Sequence, residues 1–148
     1  MLFAYDGSDD ARRALEVAAA LLETRRAVVL HVYQPFVELL VGGDLELPKA
    51  IGAEAAEAAR MDREEAEAVA AEGAEVARAA GLEATGLVAT GSMNVWPTIV
   101  DVADEHDARA VVMGSRGLSG VSRVLGSVST GVVHHCERPV LVVPPATD

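Results

Sequence analysis

Short apolar runs alternate with amphipathic stretches along this 148-residue chain. Five of the runs are rich in β-branched residues and lack polar alternation, a pattern that predicts strands buried on both faces. The predicted strands cover Leu2–Tyr5, Val28–Tyr33, Leu87–Ala89, Ala110–Met113 and Val140–Val143.

Four stretches between the strands have the apolar spacing or the composition of helices. The second predicted helix is rich in alanine and glutamate, and an interruption is expected near Gly73. Pro97 lies in the first turn of the third, where proline is tolerated, and Pro139 forbids continuation of the fourth. The predicted helices extend from an N-cap at Ser8 or Asp9 to Leu22, from Lys49 to Ala80, from Asn94 to His106 and from Ser127 to Cys136.

The alternation of strands and helices predicts the fold. Right-handed crossovers turn such an order into a parallel sheet with helices on both faces, so we expect one α/β, doubly wound domain over residues 1–148. In these sheets ligands bind outside the carboxyl ends of the strands, where the winding direction reverses. The loops after the first and fourth strands are therefore the candidate site.

The segment Gln34–Pro48 is long for a simple connection and too apolar for a linker. Two interpretations remain open. It is either a flap over a ligand or a surface loop whose apolar residues pack on a sheet edge or a partner.

Composition narrows the classes of function. Twenty-three acidic residues against twelve basic ones give a net charge of −11, which repels a polyanion, so nucleic acid is not an expected partner. No apolar run approaches the roughly 18 residues that span a bilayer, and no secretory signal is recognised at Met1. We therefore expect a cytoplasmic protein with no membrane partner. Cys136 is the only cysteine, so an internal disulfide is excluded.

The segment Gly114–Thr130 follows the fourth strand, is rich in glycine and serine and ends at a helix start. Glycine lets backbone N–H groups approach an anion, and a helix N-terminus presents unpaired donors, so the pattern fits polyphosphate binding; a tight turn is the alternative. A Walker loop is excluded because Lys49 is the only lysine, and no G-x-G-x-x-G motif follows the first strand.

Five stretches taken together resemble the universal stress protein family in its ATP-binding subtype. The resemblance covers essentially the whole chain and implies a five-stranded Rossmann-like sheet, similar to that of the adenine nucleotide alpha hydrolases, with strand order 3-2-1-4-5. The stretches are Ala4–Ser8, Leu30–Val32, Val111–Gly117, Gly126–Ser129 and Arg138–Pro144.

The family's nucleotide motif is G-x2-G-x9-G-[S/T]. Here Gly114 and Gly117 are in place, but eight residues instead of nine separate Gly117 from Gly126, and we expect a tighter loop rather than loss of binding. The resemblance implies that the backbone of Val32 contacts adenine and that Asp6 lies on the ribose or phosphate side. The implied nucleotide-binding residues are Ala4, Tyr5, Asp6, Val32, Met113, Gly114, Arg116, Gly117, Gly126, Ser127, Val128 and Ser129.

Two of these side chains have a physical rationale of their own. Asp6 follows a parallel strand, where a carboxylate accepts hydrogen bonds from ribose hydroxyls, and it is the one obvious carboxylate to support Mg²⁺ on a bound nucleotide. Its alternative role is an Asx-turn into the first helix. Arg116 suits neutralisation of phosphate charge, with a solvated loop arginine as the alternative.

Other candidates for chemistry carry less weight. The three consecutive residues His134, His135 and Cys136 point about 100° apart on a helix and cannot all bind one metal ion. His31 and His106 have no recognisable catalytic partner. Trp96 is interpreted as a core or interface residue.

The resemblance implies an ATP-dependent regulatory switch in stress physiology. Efficient hydrolysis is not expected, because the glycine-rich segment offers neither a lysine nor a general base. Two alternatives remain: a dimeric interaction module that no longer binds nucleotide, and a slow ATPase that uses Asp6. The apolar fifth strand, Val140–Val143, is expected at a sheet edge, where antiparallel pairing would form a homodimer.

Overall fold

The computed structural model describes residues 1–23, 25–35, 49–116 and 125–146, with the side chains of 49–51 left out. Strands and helices alternate through these ranges, as the hydrophobic pattern predicts. The elements are β1 (Leu2–Ala4), α1 (Asp9–Leu21), β2 (Arg26–Tyr33), α2 (Lys49–Ala79), β3 (Glu83–Thr90), α3 (Trp96–Glu105), β4 (Val111–Gly114), α4 (Ser127–His135) and β5 (Val140–Val143).

The five strands form one parallel sheet in the order β3-β2-β1-β4-β5. The predicted α/β fold and its strand order are thereby confirmed. The chain winds outward from β1 through β2 to β3 and then returns past β1 to β4 and β5. The direction of winding thus reverses between β1 and β4, which places the carboxyl ends of these two strands at the switch point.

Successive residues of the central strands supply opposite layers of the core, because side chains alternate across a strand. Phe3, Val29 and Val112 pack under α1 and α2, whereas Leu2 and Val111 pack under α3 and α4. All five are buried. Burial on both faces explains why these strands lack polar alternation in the sequence.

The suggested break near Gly73 is wrong, because α2 is continuous from Lys49 to Ala79. A β-carbon at Gly73 would lie 2.6 Å from the Tyr5 ring and 2.8 Å from Val29, so the glycine lets the helix approach the sheet closely. The strand predicted over Leu87–Ala89 is also longer than expected. It extends over Glu83–Thr90, pairs with β2 at every position and is partly exposed, as an edge strand is.

Two regions bear on the sequence predictions in other ways. Most of the segment Gln34–Pro48 lies outside the described residues, so its two interpretations stay open. Within the ranges given above, no helix is long and apolar enough to cross a bilayer.

Candidate functional site

A cavity of about 260 Å³ opens at the carboxyl edge of the sheet, at the switch point between β1 and β4. Eleven of the twelve residues that sequence analysis singles out line it, and the twelfth, Gly117, lies outside the described residues. The eleven are Ala4, Tyr5, Asp6, Val32, Met113, Gly114, Arg116, Gly126, Ser127, Val128 and Ser129.

The backbone of Val32 lies beside this cavity because β1 is shorter than β2. The two strands pair only as far as Ala4 and Leu30, after which the Tyr5 N–H donates to the Leu30 carbonyl at 2.9 Å. Alternate residues of a parallel strand direct both backbone groups to the same neighbour, so Val32 follows Val28 and Leu30 toward the β1 side. At Val32 that side lies beyond the end of β1, which leaves a donor and an acceptor facing the cavity.

Asp6 closes an Asx-turn into α1, the alternative role considered from the sequence. Its Oδ1 accepts from the Ser8 N–H at 3.0 Å and from the Ser8 hydroxyl at 2.5 Å. Within the described residues no group donates to Oδ2. The turn therefore fixes the carboxylate on the cavity wall while one of its oxygens remains an acceptor.

The two helices that begin at this edge differ at their N-termini. In α1 the Ser8 hydroxyl caps the helix by accepting from the Ala11 N–H at 3.2 Å, and Asp9 and Asp10 place negative charge in the first turn. In α4 the N-cap is Gly126, no side chain caps the first turn, and the first turn holds no acid. Among the described residues, the start of α4 therefore has N–H donors that no side chain caps and the positive dipole end that attracts an anion.

Ser115 and Ser129 hold the two ends of the glycine-rich segment together. The Ser115 carbonyl accepts from the Gly126 N–H at 2.8 Å and lies 3.1 Å from the Ser129 hydroxyl, which also lies 3.0 Å from the Gly126 carbonyl. Ser129 is only 2% exposed. Its hydroxyl therefore holds the start of α4 against Ser115, and its proton is already committed to a backbone carbonyl.

Arg116 contacts a carboxylate on the neighbouring helix rather than standing in solvent. Its Nε lies 3.2 Å from Oδ2 of Asp10, and the two side chains are 23% and 17% exposed. The first-turn acid of α1 and the cavity-lining arginine thus form a partly buried ion pair at the edge of the site.

Tyr5 lines the cavity, and its side-chain hydroxyl is hydrogen-bonded to a residue of α2. Its hydroxyl donates to Oε1 of Glu72 on α2 at 2.9 Å. Burial, reinforced by this hydrogen bond, raises the pKa of Tyr5 to about 12. The Tyr5 carbonyl accepts from Nδ1 of His31 at 2.8 Å, since a carbonyl can only accept.

Sequence reasoning missed several residues that line the cavity, and His31 is the most consequential. With its proton on Nδ1, a neutral His31 keeps Nε2 as an acceptor. Its position at the carboxyl end of β2, beside β1, is the signal that could have identified it. The other missed lining residues are Ala11, Leu30, Val95, Ile99 and Ser115.

The remaining candidates lie away from the cavity. Trp96 stacks on His135 with ring centroids 4.3 Å apart and packs against α4 at Gly131, so both rings hold α3 and α4 together. Among the described residues, no group of three His, Cys, Asp or Glu side chains could hold a metal ion.

Comparison with known proteins identifies the family. The sequence model described as "Universal stress protein family" matches residues 1–144. A universal stress protein of Thermus aquaticus is 38% identical over 154 aligned positions, which cover 97% of this chain and 96% of the relative.

Two solved structures extend the comparison. The universal stress protein from Archaeoglobus fulgidus in complex with dAMP is 26% identical, with a TM-score of 0.62 over 95% of this chain and 94% of its own. A universal stress protein in complex with cAMP is 25% identical, with a TM-score of 0.61 over 97% and 94%. On the family match and the Thermus relative, this chain belongs to the universal stress protein family.

Proposed function

We propose that this protein binds an adenine nucleotide, with ATP as the expected ligand, in the cavity at the carboxyl edge of its sheet, and acts as a nucleotide-dependent switch. One observation carries the proposal: eleven of the twelve residues that sequence analysis assigns to a nucleotide line a single cavity, which extends to the start of α4, where no side chain caps the helix. Two relatives of similar fold hold dAMP and cAMP, both of which are adenine nucleotides.

The adenine ring fits against the end of β2. Adenine presents a donor at its amino group beside a ring-nitrogen acceptor, and the Val32 backbone offers the complementary carbonyl and N–H beyond the end of β1. Leu30 and Ile99 supply apolar surface to the same cavity. The ribose then lies toward Asp6, whose Oδ2 accepts from a hydroxyl.

The phosphates fit against the start of α4, where Ser127 and Val128 present backbone N–H groups and the first turn of the helix holds no acid. Mg²⁺ on a bound triphosphate would find a carboxylate of the cavity lining at Asp6. The described residues of the cavity include no lysine, and the one carboxylate among them is Asp6, so we propose ligand sensing rather than efficient hydrolysis.

A thermal melt of the purified protein with AMP or ATP, with and without Mg²⁺, tests the proposal. Ligand at about 100 times its dissociation constant stabilises the native state by roughly 2.7 kcal/mol. For a domain of this size that raises the Tm by roughly 5–10 °C. A Tm unchanged by any adenine nucleotide would contradict nucleotide binding and favour the dimeric interaction module.

The substitution Gly126→Val separates the site from the fold. A β-carbon at Gly126 would lie 3.5 Å from the Ser115 carbonyl oxygen and 3.8 Å from the Ser129 hydroxyl, both ordinary contact distances, so we expect the variant to fold. Its methyl groups would cover the backbone donors of α4, and we expect affinity to fall about tenfold or more.

Gly52→Val is the matched control. A β-carbon at Gly52 meets nothing within 4 Å, and the position lies on α2, outside the cavity lining. Unchanged nucleotide affinity in Gly126→Val would refute the assignment of the phosphates to the start of α4. Loss of affinity in both variants would show that the effect is not local.

We further propose that the switch acts as a homodimer through the free edge of β5. β5 is the last strand of the sheet, and its other edge is paired with β4. Val140–Val142 are partly exposed along it. An apolar edge strand with unpaired backbone groups invites antiparallel pairing with a second copy.

A further inference from the structure

The Arg116–Asp10 ion pair lies where the phosphate chain of a bound nucleotide would extend. Arg116 lines the cavity, and Asp10 lies in the first turn of α1, directly before Ala11, which also lines it. The two side chains meet at 3.2 Å with less than a quarter of each exposed. Water therefore screens this pair less than it screens the exposed ion pairs of α2.

Backbone packing holds Asp10 in this position. A β-carbon on Gly114 would lie 3.0–3.1 Å from the Asp10 carbonyl carbon, carbonyl oxygen and Cβ, so the end of β4 presses directly against the first turn of α1. The carboxylate also lies at the helix N-terminus, where the dipole stabilises negative charge. This packing fixes the backbone and Cβ of Asp10 beside the end of β4, and the ion pair with Arg116 orients its carboxylate.

These observations set two electrostatic effects against a long phosphate chain. Asp10 partly satisfies the Arg116 guanidinium, so a phosphate gains less from that arginine than from an unengaged one. The fixed carboxylate also repels the ligand itself, and the repulsion grows with ligand charge, which is about two units greater for ATP than for AMP.

We propose that Asp10 is a specificity-determining residue that penalises adenine nucleotides according to their phosphate number. The proposal rests on nucleotide binding at this cavity, as argued above. In the native protein Asp10 reduces the increase in binding affinity that each added phosphate would otherwise bring through Arg116 and the start of α4. The ligand preference is thereby moved toward nucleotides of lower charge.

Titration calorimetry of the wild type and Asp10→Asn with adenosine, AMP and ATP tests this proposal. The amide keeps the shape of the carboxylate and removes its charge. We expect the affinity for ATP to rise about tenfold, that for AMP about threefold, and that for uncharged adenosine to stay within about twofold. The gain in ATP affinity is expected to shrink in high salt.

Asp9→Asn is the matched control, because it makes the same charge change in the same helical turn at an exposed position. A double-mutant cycle with Arg116→Gln measures how much of the effect passes through the arginine. We expect Asp10→Asn to increase ATP affinity less in the Arg116→Gln background than in the wild type.

Failure of nucleotide binding and failure of the role of Asp10 give different results in these experiments. If neither adenosine, AMP nor ATP binds the wild type, nucleotide binding itself is wrong. If they bind but Asp10→Asn leaves the ratio of ATP to adenosine affinity within about twofold of wild type, or Asp9→Asn raises it equally, the role of Asp10 is overturned. A melt of each variant without ligand verifies that it is folded.

Discussion

At the scale of single residues, the Ser129 hydroxyl shows how a predicted ligand contact can instead be a support. It lies within hydrogen-bond distance of two carbonyl oxygens, one at each end of the glycine-rich segment, yet it has one proton to donate. The family resemblance implies that Ser129 is a nucleotide-binding residue. The geometry adds a structural task that a motif alone does not reveal.

We predict that Ser129→Ala lowers both stability and nucleotide affinity. Loss of the buried hydrogen bond costs about 1 kcal/mol, which corresponds to a fall in Tm of roughly 2–4 °C. Calorimetric melting and AMP titration measure the two effects. Ser127→Ala, at the exposed start of the same helix, is the control for stability. If Ser129→Ala melts like the wild type, the hydroxyl does not stabilise the contact between the start of α4 and Ser115.

Tyr5 gives a prediction in alkaline solution. Its pKa is raised from 10.0 to about 12 in the folded protein, so the neutral phenol stabilises the native state. That contribution is fully present below pH 10 and is lost as the pH rises through about 12, because over this range the unfolded chain releases the phenol proton while the native state still holds it. We expect Tyr5→Phe to flatten this alkaline loss of stability.

Urea unfolding below and above pH 10 measures this difference for the wild type and Tyr5→Phe. The control is Tyr33→Phe, which removes the other tyrosine of the chain. An alkaline decline of the same steepness in wild type and Tyr5→Phe would assign the effect to a different group.

At the scale of elements, glycines set how closely helices approach their neighbours. Gly131 on α4 faces the indole of Trp96 at the start of α3, and a β-carbon there would lie 2.3 Å from two ring atoms. The stacking of Trp96 on His135 depends on the same close approach. Both contacts belong to the helical layer on the Leu2 face of the sheet.

We predict opposite effects for two glycine-to-alanine substitutions. Gly131→Ala forces α3 and α4 apart and should destabilise the protein by about 1–3 kcal/mol. Gly52→Ala, in open space on α2, should stabilise it by about 0.5–1 kcal/mol, because alanine is the better helix former. Urea unfolding measures both changes. Equal values for the two variants would contradict the packing argument.

The same elements show what the sequence can predict and where it stops. Apolar runs without alternation identify buried parallel strands, because a strand that is buried on both faces needs apolar residues at successive positions. Gly73 was misinterpreted because a glycine that ends a helix and one that admits a neighbour look alike in sequence. The side chains that distinguish them here, Tyr5 and Val29, lie 68 and 44 positions away in the sequence. β3 was predicted too short because Gly86 weakens the strand pattern, whereas pairing with β2 extends it.

The candidate site, too, is predicted in part from the sequence and in part visible only in the structure. A motif resemblance points to residues of β1, β2, β4 and α4 that lie far apart in the chain, and the topology brings the described ones to one edge. The Arg116–Asp10 pair and the part played by His31 depend on which side chains meet across elements. No spacing in the sequence encodes those contacts.

At the scale of the whole molecule, we predict a dimer whose formation requires one backbone donor, the Val142 N–H. The Pro139 carbonyl accepts from the Val111 N–H of β4, and the Val143 carbonyl accepts from Ser115, the residue after β4, so odd-numbered positions of β5 face inward and Val142 faces the other edge. Val142→Pro therefore removes an outward N–H while preserving the pairing with β4, as proline on an edge strand permits. Light scattering at micromolar concentration should show a dimer for the wild type and a monomer for the variant.

Val133→Ser, an exposed position on α4, is the control for surface hydrophobicity. A wild-type particle of 15.4 kDa would exclude the dimer altogether. A dimer that persists in Val142→Pro would place the interface elsewhere.

The early end of β1 has a consequence for how such a chain can diverge. Gly7, at φ +81°, adopts a left-handed conformation that side chains rarely allow and turns the chain away after Tyr5 and Asp6. If β1 continued by two residues, its own main chain would fill the space beside the Val32 backbone. The space beside Val32 is thus set by where the β1 backbone ends. Side chains around it can therefore be substituted in evolution while its shape is kept.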